Sequence, residues 1–413
     1  MKYKIIILGA GLQGSCIALE LAKRGYRVQL LDQDSVPVNR ASIRNEGKVH
    51  LGLVYMNDSS FLTPEMMLKT AVNFSKYLFR WIGPVSSRLN VSTPFYYLVS
   101  KHSFLSLDQL EERYGQLQEI YDRQISDLPD TDYLGIQPAK LAERCTDQEL
   151  SSYFNMNELQ GGFKTPELSV DTEMLADCVR NAIRQHPNIE FFSGHKICEL
   201  SRSANGFKVE GINKDGTWSM AADQVVNATW EGKYIFDRML DVPVPTGILH
   251  RLKYRVIADI PPDMVHFPSV TMVIGRFGDV VIRPDATAYL SWYPEACRGW
   301  STDIHPPESW ADACRGTVSK EDFEMISEKI ISNIRQWYPA IKHCKPKIVD
   351  AGAIVAYGNT DVDDKNSRLH HRAVFGASSY DGYHTVYTGK LTSAPQNAMQ
   401  TADCVEKFAD VIT

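Results

Sequence analysis

The sequence lacks several features that would assign it at once to a common class of protein. Its eight cysteines are scattered, with no C-x-x-C pair and no Cys/His spacing suited to zinc, which favours reduced thiols in a cytoplasmic protein. No apolar run is long enough to span a bilayer, and the apolar N-terminal stretch is too short for a secretory signal. Acidic residues outnumber basic residues by 50 to 44, so the net charge of −6 argues against a general nucleic-acid-binding protein.

What the chain does contain is typical of a large globular protein. Hydrophobic residues make up 44% of the sequence and charged residues 23%. A length of 413 residues exceeds what one compact core usually holds, so we expect two closely joined domains.

The N-terminal segment carries a dinucleotide-binding pattern. A buried-type apolar run over 5–8 is followed by Gly9, Gly11 and Gly14 in a G-x-G-x-x-G arrangement, an apolar-rich helix, and a second strand that ends at Asp32. In this pattern the glycines allow a tight turn and close approach to a pyrophosphate at the helix N-terminus. The acid after the second strand accepts hydrogen bonds from the adenosine ribose. Strand, helix, strand and carboxylate occur together, which favours a binding site over chance spacing. The motif alone does not choose between FAD and NAD.

The continuation of this segment makes that choice by resemblance. Residues 40–55 read RASIRNEGKVHLGLVY, in which charged residues precede and interrupt a strand-like apolar alternation. The layout resembles the D-amino-acid oxidase-like family of FAD-dependent oxidoreductases, which includes glycine and sarcosine oxidases and, more loosely, L-2-hydroxyglutarate and glycerol-3-phosphate dehydrogenases. The resemblance implies that FAD is the cofactor and that this turn leads from the pyrophosphate to the isoalloxazine ring. Glu46 and Lys48 fit such a site, or equally a plain salt bridge.

Two later blocks are similar to the same family in the same order. Residues 169–211 resemble its second block, which implies that Ile197 lies near the adenine. A strand then ends at Asn227–Ala228–Thr229, where the family has an Asn-Ala-x-Gly turn, although Trp230 replaces the glycine. Near the C-terminus, Gly389–Thr392 match a turn before a helix whose N-terminus faces the flavin in the family.

The resemblance therefore implies a set of FAD contacts along the chain. These are Gly9, Gly11, Leu12, Gln13, Gly14, Asp32, Gln33, Arg40, Ala41, Ser42, Asn45, Gly47, Lys48, Val49, Ile197, Asn227, Ala228, Thr229, Gly389, Lys390, Leu391 and Thr392.

The remaining sequence predicts a second domain. Residues 61–83 predict one amphipathic helix with Thr63 as its cap, and the run from 248 to 294 alternates as in an antiparallel sheet. We therefore expect an α/β fold, in which a Rossmann-like FAD-binding domain carries an inserted α+β substrate domain built on an antiparallel sheet. The predicted FAD-binding domain comprises 1–85, 166–245 and 346–413, and the substrate domain comprises 86–165 and 246–345.

The catalytic candidates are His50, Arg283 and Tyr293, and each has an alternative explanation. His50 is either a flavin or substrate contact or a core histidine bonded to a carbonyl. Arg283 would bind a substrate carboxylate if it points inward, and is an ordinary edge charge if it points outward. Tyr293 and the adjacent Trp292 form a pocket wall or simply pack in the sheet.

One departure from the family concerns its substrate arginine. Members that oxidise simple amino acids usually carry this arginine in an A-G-x-R segment, but residues 350–359 read DAGAIVAYGN. This departure weakens an assignment to simple α-amino acids. Residues Arg368, His370, His371 and Arg372 either compensate for the loss or belong to a surface loop.

Three functions remain open from the sequence. The first is oxidation of a C–N bond in an amine or amino-acid-like molecule by hydride transfer to flavin. The second is dehydrogenation of a 2-hydroxy acid, with His50 as the base. The third is a noncatalytic flavin- or NAD-binding module. For the enzymes we expect a small-molecule substrate and O2 or another electron acceptor, with no nucleic acid partner and no membrane span.

Overall fold

The computed structural model describes residues 4–84, 89–275, 277–358, 360–362, 364–367 and 375–412. Its α-helices are α1 (Leu12–Lys23), α2 (Leu62–Ala71), α3 (Phe74–Ile82), α4 (Leu107–Asp127), α5 (Asp147–Ser151), α6 (Thr172–Gln185), α7 (Lys233–Met239), α8 (Tyr293–Ala296), α9 (Ala311–Cys314), α10 (Lys320–Trp337) and α11 (Ala394–Ile412).

The strands fall into four sheets. In chain order they are β1 (Lys4–Leu8), β2 (Arg27–Leu31), β3 (Lys48–Val49), β4 (Phe95–Ser100), β5 (Glu143–Arg144), β6 (Leu159–Lys164), β7 (Leu168–Ser169), β8 (Ile189–Phe192), β9 (Lys196–Ser203), β10 (Gly206–Asn213), β11 (Gly216–Ala222), β12 (Gln224–Asn227), β13 (Ile248–Asp259), β14 (Ser269–Val273), β15 (Gly278–Ile282), β16 (Thr287–Trp292), β17 (Cys297–Ser301), β18 (Lys345–Tyr357), β19 (Gly376–Tyr380) and β20 (Tyr383–Tyr387).

A six-stranded sheet forms the first layer of the fold. Its order is β19-β20-β12-β1-β2-β8, and every neighbouring pair is parallel except β19 with β20. The apolar run of β1 is buried because α1 packs on one side of this sheet, together with α6 and α11. The carboxyl ends of β1, β2 and β12 therefore meet at one edge, as the predicted Rossmann-like arrangement requires.

A nine-stranded sheet forms the second layer. Its order is β17-β13-β16-β15-β14-β4-β6-β5, with β18 paired along β13, and only the β14–β4 pair is parallel. Two separate chain segments contribute to it, which confirms the inserted domain built on a largely antiparallel sheet. The predicted boundary at 346 is too early, since β18 pairs with β13 from Ile248 to Asp259 and belongs to this second sheet. Two smaller sheets, β11-β10-β9 and β3-β7, complete the strands.

The segment 61–83 forms two helices instead of the one that was predicted. α2 ends at Ala71 and α3 begins at Phe74. The predicted cap is also wrong, because α2 begins at Leu62, and Thr63 donates its backbone N–H to Asp58 Oδ2 at 3.1 Å. The polar group at this helix start thus comes from the preceding turn.

A buried carboxylate attaches the turn that follows β2 to the nine-stranded sheet through two arginines. Asp350 on β18 accepts hydrogen bonds from Arg255 on β13, with Nε at 2.7 Å from Oδ1 and Nη2 at 3.1 Å from Oδ2. Arg44 Nε lies 3.2 Å from Asp350 Oδ2, and Arg255 also donates to the backbone oxygen of Ile43. The chain from Ile43 to Arg44 is thereby attached to the nine-stranded sheet.

A second buried carboxylate ties the helices around the first sheet. Glu20 on α1 accepts hydrogen bonds from Arg24 Nε at 2.8 Å, Arg80 Nε at 3.0 Å and Trp81 Nε1 at 2.7 Å. Burial opposes ionisation of Glu20, but the hydrogen bonds from Trp81, Arg24 and Arg80 outweigh it and lower the pKa. The side chain therefore stays charged and links α1 to α3.

We predict that Glu20→Ala lowers the free energy of unfolding by about 3 kcal/mol, because it removes the carboxylate that binds Arg80 and Trp81 and one of the three carboxylates that pair with Arg24. Urea denaturation at pH 7 measures the loss. The pKa of Glu20 is depressed in the folded state, so its contribution is present above the ordinary pKa of glutamate and is lost as the pH falls through the folded-state pKa. Glu119→Ala, on the exposed face of α4, is the control and should leave stability unchanged. Equal stability of the two variants would contradict this role.

Candidate active site

A cavity of about 590 Å³ is lined by residues of both large sheets. Most of the residues that the sequence predicts as FAD contacts line it. They are Gly9, Gly11, Leu12, Gln13, Asp32, Gln33, Arg40, Ala41, Ser42, Asn45, Lys48, Ile197, Ala228, Thr229, Gly389, Lys390 and Leu391.

The glycine turn at one end of the cavity has no room for side chains. Gly9 has φ of +88°, and a Cβ atom there would lie 2.9 Å from the backbone oxygen of Ala228. A Cβ atom on Gly14 would lie 1.9 Å from the oxygen of Gly9, so α1 can approach β1 only through glycine. The N-terminus of α1 is held by Leu12, whose N–H donates to Ser42 Oγ at 2.9 Å. The turn thus presents backbone to the cavity, as binding of a pyrophosphate requires.

Asp32 stands at the carboxyl end of β2 and is fixed by the backbone. Its Oδ2 accepts a hydrogen bond from the Ala10 N–H at 2.6 Å, and its Oδ1 accepts one from the Asp34 N–H at 2.8 Å. Burial raises the pKa of Asp32 above the ordinary value. Asp34 in turn binds Arg40 through two hydrogen bonds of 2.8 and 2.9 Å. The acid that the motif assigns to the ribose is therefore oriented at the cavity edge.

His50 lies at the opposite end of the cavity and is buried. Its backbone N–H donates to Thr392 Oγ1 at 2.9 Å. Ring Nε2 lies 3.5 Å from Glu46 Oε1, and Nδ1 lies 3.9 Å from Glu167 Oε1. Neither ring nitrogen makes a hydrogen bond within the part of the chain that the structure describes, and burial lowers the pKa of His50. The imidazole is therefore neutral at pH 7 and retains an unused acceptor nitrogen.

Charged groups surround His50. Lys48 Nζ lies 2.7 Å from Asp279 Oδ1, also binds Thr271, and sits 4.3 Å from the centroid of the Phe95 ring. Of the two alternatives that the sequence left open for these residues, the plain Glu46–Lys48 salt bridge does not form among the described residues, because Lys48 pairs with Asp279 and Glu46 lies against His50. Burial opposes ionisation of Glu46, but His50, Lys390 and Lys253 outweigh it and hold the pKa well below the ordinary value. Glu46 is thus an ionised carboxylate in the cavity wall.

The turn before α11 closes this end of the cavity. Gly389, with φ of +75°, Lys390 and Leu391 line it, and so does Ala394 at the first position of the helix. Gln13 Nε2 donates to the Ala394 oxygen at 3.2 Å, which joins the beginnings of α1 and α11. The positive end of a 19-residue helix therefore faces the cavity.

Several predicted contacts lie behind the lining. Gly14, Gly47, Val49, Asn227 and Thr392 are absent from the cavity wall. Asn227 accepts a hydrogen bond from the Thr229 hydroxyl at 2.7 Å and donates to the Tyr383 hydroxyl at 2.8 Å. Trp230, where the family has glycine, adopts φ of +54°, and its indole donates to the Ala353 oxygen at 2.9 Å. Position 230 therefore has a positive φ although it is occupied by tryptophan and not by glycine.

Two of the predicted catalytic residues do not line the cavity. Arg283 is buried, with Nη1 3.6 Å from Asp171 Oδ2, and Asp171 caps the start of α6. The Tyr293 hydroxyl donates to Asp361 Oδ1 at 2.6 Å and accepts from Arg251 Nη1 at 2.5 Å. Because each is engaged by buried partners outside the cavity wall, the structure gives neither a catalytic position. The candidates Arg368, His370, His371 and Arg372 lie outside the described residues.

Some residues of the wall were not predicted from the sequence. Lys253 on β13 faces the cavity near Glu46, beside Tyr289 of the predicted antiparallel sheet. A charged residue within the apolar run of β13 is the signal that could have identified Lys253. A segment between β17 and α10 also lines the cavity, and we call it the strap. Its lining residues are His305, Pro306, Pro307, Glu308, Trp310, Ala311, Cys314 and Arg315.

These residues fit FAD. The tight Gly9 turn would hold the pyrophosphate against the backbone, and Asp32 would hold the ribose. Lys48, His50 and the α11 N-terminus would surround the flavin. Among the described residues there is no cluster of His, Cys, Asp and Glu able to hold a metal ion and no helix long and apolar enough to cross a membrane.

Solved structures of three oxidases have the same fold. A glycine oxidase from Geobacillus kaustophilus matches with a TM-score of 0.68 at 14% identity, over 98% of this chain and 95% of that chain. An iminodiacetate oxidase from Chelativorans matches at 0.67 and 13% identity, and an FAD-bound L-α-glycerophosphate oxidase from Mycoplasma pneumoniae at 0.65 and 15%, with the same coverage.

Sequence comparison gives the family. An 81-residue segment is 40% identical to the tRNA 5-methylaminomethyl-2-thiouridine biosynthesis bifunctional protein MnmC of Marinobacter nauticus, but it spans only 19% of this chain and 12% of that protein. The pattern of the FAD dependent oxidoreductase family matches residues 4–399, nearly the whole chain. The chain therefore belongs to the FAD dependent oxidoreductase family: it is an enzyme, and FAD is its cofactor.

Proposed function

We propose that this enzyme oxidises a C–N bond of an amine or amino-acid-like substrate. The observation that carries the proposal is the pairing of Glu46 and His50 in the cavity wall. One is an ionised carboxylate and the other a neutral imidazole, with 3.5 Å between Oε1 and Nε2. Such a pair attracts a protonated amine and can accept its proton.

The protein prepares the substrate for hydride loss. When bound, FAD accepts a hydride from the C–H bond beside the nitrogen. Because only the unprotonated amine has the lone pair that assists this transfer, the ammonium must first lose a proton. Glu46 attracts the ammonium, and the neutral imidazole of His50 beside it is the group that takes up the proton. Lys48 is held by Asp279, which keeps a fixed positive charge next to this pair.

Two of the similar structures are named as oxidases of glycine and of iminodiacetate, both of which contain a C–N bond. Sequence identities of 14% and 13% show only that the fold is shared. The proposed substrate class therefore rests on the residues of the cavity. The cavity and the family membership also argue against a noncatalytic module.

A second candidate is oxidation of a 2-hydroxy acid. The neutral imidazole of His50 favours it, since such a group in a cavity wall can deprotonate a hydroxyl as well as an ammonium. Glu46 separates the two candidates, because a carboxylate attracts an ammonium and gives no such advantage to a neutral hydroxyl.

We predict that the FAD-loaded protein bleaches under anaerobic conditions with a pool of primary and secondary amines, and not with a pool of 2-hydroxy acids. Visible absorbance near the flavin maximum measures the reduction. Bleaching only with hydroxy acids would replace the amine proposal by the second candidate.

We predict that His50→Gln slows flavin reduction by the best amine about a hundredfold, the usual effect of losing a proton acceptor. Burial lowers the pKa of His50, so the acid-side inflection of reduction rate against pH should fall below about 6.5 in the wild type. The inflection should vanish in the variant. Anaerobic stopped-flow absorbance between pH 5 and 9 measures both.

The control for this variant is His343→Gln, which alters an exposed histidine on the nine-stranded side. It should reproduce the wild-type rate and inflection. If His50→Gln behaves like His343→Gln, His50 takes no part in proton transfer.

A further inference from the structure

Lys253 is a charged group of the cavity wall without a hydrogen bond. It projects from β13 and lines the cavity near Tyr289. Its nearest acid is Asp279, with 4.0 Å between Nζ and Oδ2, and no hydrogen bond of the ammonium occurs within the described ranges. Burial opposes its charge, but Tyr289, Glu46 and Asp279 outweigh burial and raise the pKa. The side chain is therefore an ammonium at neutral pH.

Within the described ranges, neither acid near Lys253 accepts a hydrogen bond from its ammonium. Asp279 Oδ1 accepts from Lys48 Nζ at 2.7 Å and from the Thr271 hydroxyl at 2.8 Å. Glu46 lies against His50 at 3.5 Å. An ammonium carries three donors, and leaving them without acceptors at a partly buried position is costly. The cavity thus contains a cation whose hydrogen bonds are left for a bound molecule.

We propose that Lys253 binds a carboxylate of the substrate and selects amines that carry one. This inference rests on the proposed amine oxidation. Glu46 would meet the amino group and Lys253 the carboxylate, so that one substrate satisfies two wall charges of opposite sign. An amine without a carboxylate leaves the Lys253 ammonium unpaired and binds more weakly.

This assignment differs from the sequence prediction. The sequence assigned the carboxylate to Arg283, which pairs with Asp171 away from the cavity. Arg251 and Arg255 on β13 are engaged by Asp361 and Asp350. On the same strand, Lys253 is the cation that both lines the cavity and lacks a hydrogen bond in the part of the chain described. A lysine contacts a carboxylate as a point charge, without the two-pronged geometry of arginine.

The first test uses acetate as the probe and does not depend on amine oxidation. Acetate is titrated into the anaerobic FAD-loaded protein, and the change in flavin absorbance gives Kd. We expect Lys253→Met to raise Kd for acetate at least about tenfold, as the loss of a charged hydrogen bond implies. Lys253→Arg should recover most of the affinity. Acetamide, which has the same shape without the charge, should bind weakly and equally to all forms.

Lys347→Met is the matched control. Lys347 lies on the neighbouring strand β18, is exposed, and reaches Asp259 at 3.3 Å. The substitution removes one lysine charge from the same sheet, and the Kd of this variant for acetate should equal the wild-type value. Retention of FAD and an unchanged unfolding midpoint identify folded variants, and Lys253→Gln replaces Lys253→Met if the latter fails to fold.

The second test uses an amino acid that reduces the flavin and its amide. Lys253→Met should raise Kd for the amino acid at least about tenfold and abolish its advantage over the amide, while the limiting reduction rate changes less. Unchanged acetate binding in both neutral variants would overturn the proposal. So would a defect confined to reoxidation by oxygen, which would assign Lys253 to the electron acceptor. If no amine reduces the flavin but acetate binding still depends on Lys253, the amine oxidation fails and the carboxylate site stands.

Discussion

The buried interaction of Asp350 with Arg255 and Arg44 fixes the position of the reactive end of the cavity. Asp350 and Arg255 belong to the nine-stranded sheet, whereas Arg44 belongs to the turn that leads to Glu46, Lys48 and His50. One carboxylate serves two guanidinium groups, and burial together with Arg255 lowers the pKa of Arg44. Removing Asp350 would leave buried Arg44 without its recorded ion-pair partner and Arg255 with only the more distant Glu173, and breaking a buried ion pair in this way is strongly destabilising. The turn therefore depends on the second sheet for its place.

The cavity is electrostatically divided. Around the glycine turn, the acids Asp32 and Asp34 lie near Arg40, and these groups suit a ribose and a pyrophosphate. At the other end the carboxylate of Glu46 lies among Lys253, Lys390 and His50, next to the positive end of α11. Positive charge at that end would stabilise a reduced, anionic flavin, and a single carboxylate within it gives an amine a place to bind. The low-dielectric surroundings make these charges costly to bury without a partner. They also strengthen the interaction of each charge with a ligand group of opposite charge.

Local patterns predicted the parts of the site whose geometry is determined by a few neighbouring residues. The Gly9–Gly14 turn and Asp32 follow from spacing within one strand-helix-strand unit, and Gly389 from the resemblance to the family's turn before its last helix. Arg283 and Tyr293 were predicted to contact the substrate, but they do not line the cavity. They bind Asp171 and Asp361, which are 112 and 68 residues away in the sequence, and no local pattern reveals these partners. The predicted FAD-binding segment 346–413 begins too early because the sequence of a strand does not show which of two sheets it joins. Only the pairing of β18 with β13 assigns this strand to the nine-stranded sheet.

The strap connects the nine-stranded sheet to the dinucleotide end of the cavity. It extends from the nine-stranded sheet, yet Arg315 reaches toward Asp34 at the dinucleotide end, with 3.8 Å between Nε and Oδ1. Trp310 anchors it in a small cluster with Leu252 and Ala351 on that sheet. A dinucleotide bound in the cavity would contact lining residues of both layers, so its binding would also stabilise their docking. The free energy that opposes separation of the two layers would then rise with the logarithm of the free FAD concentration.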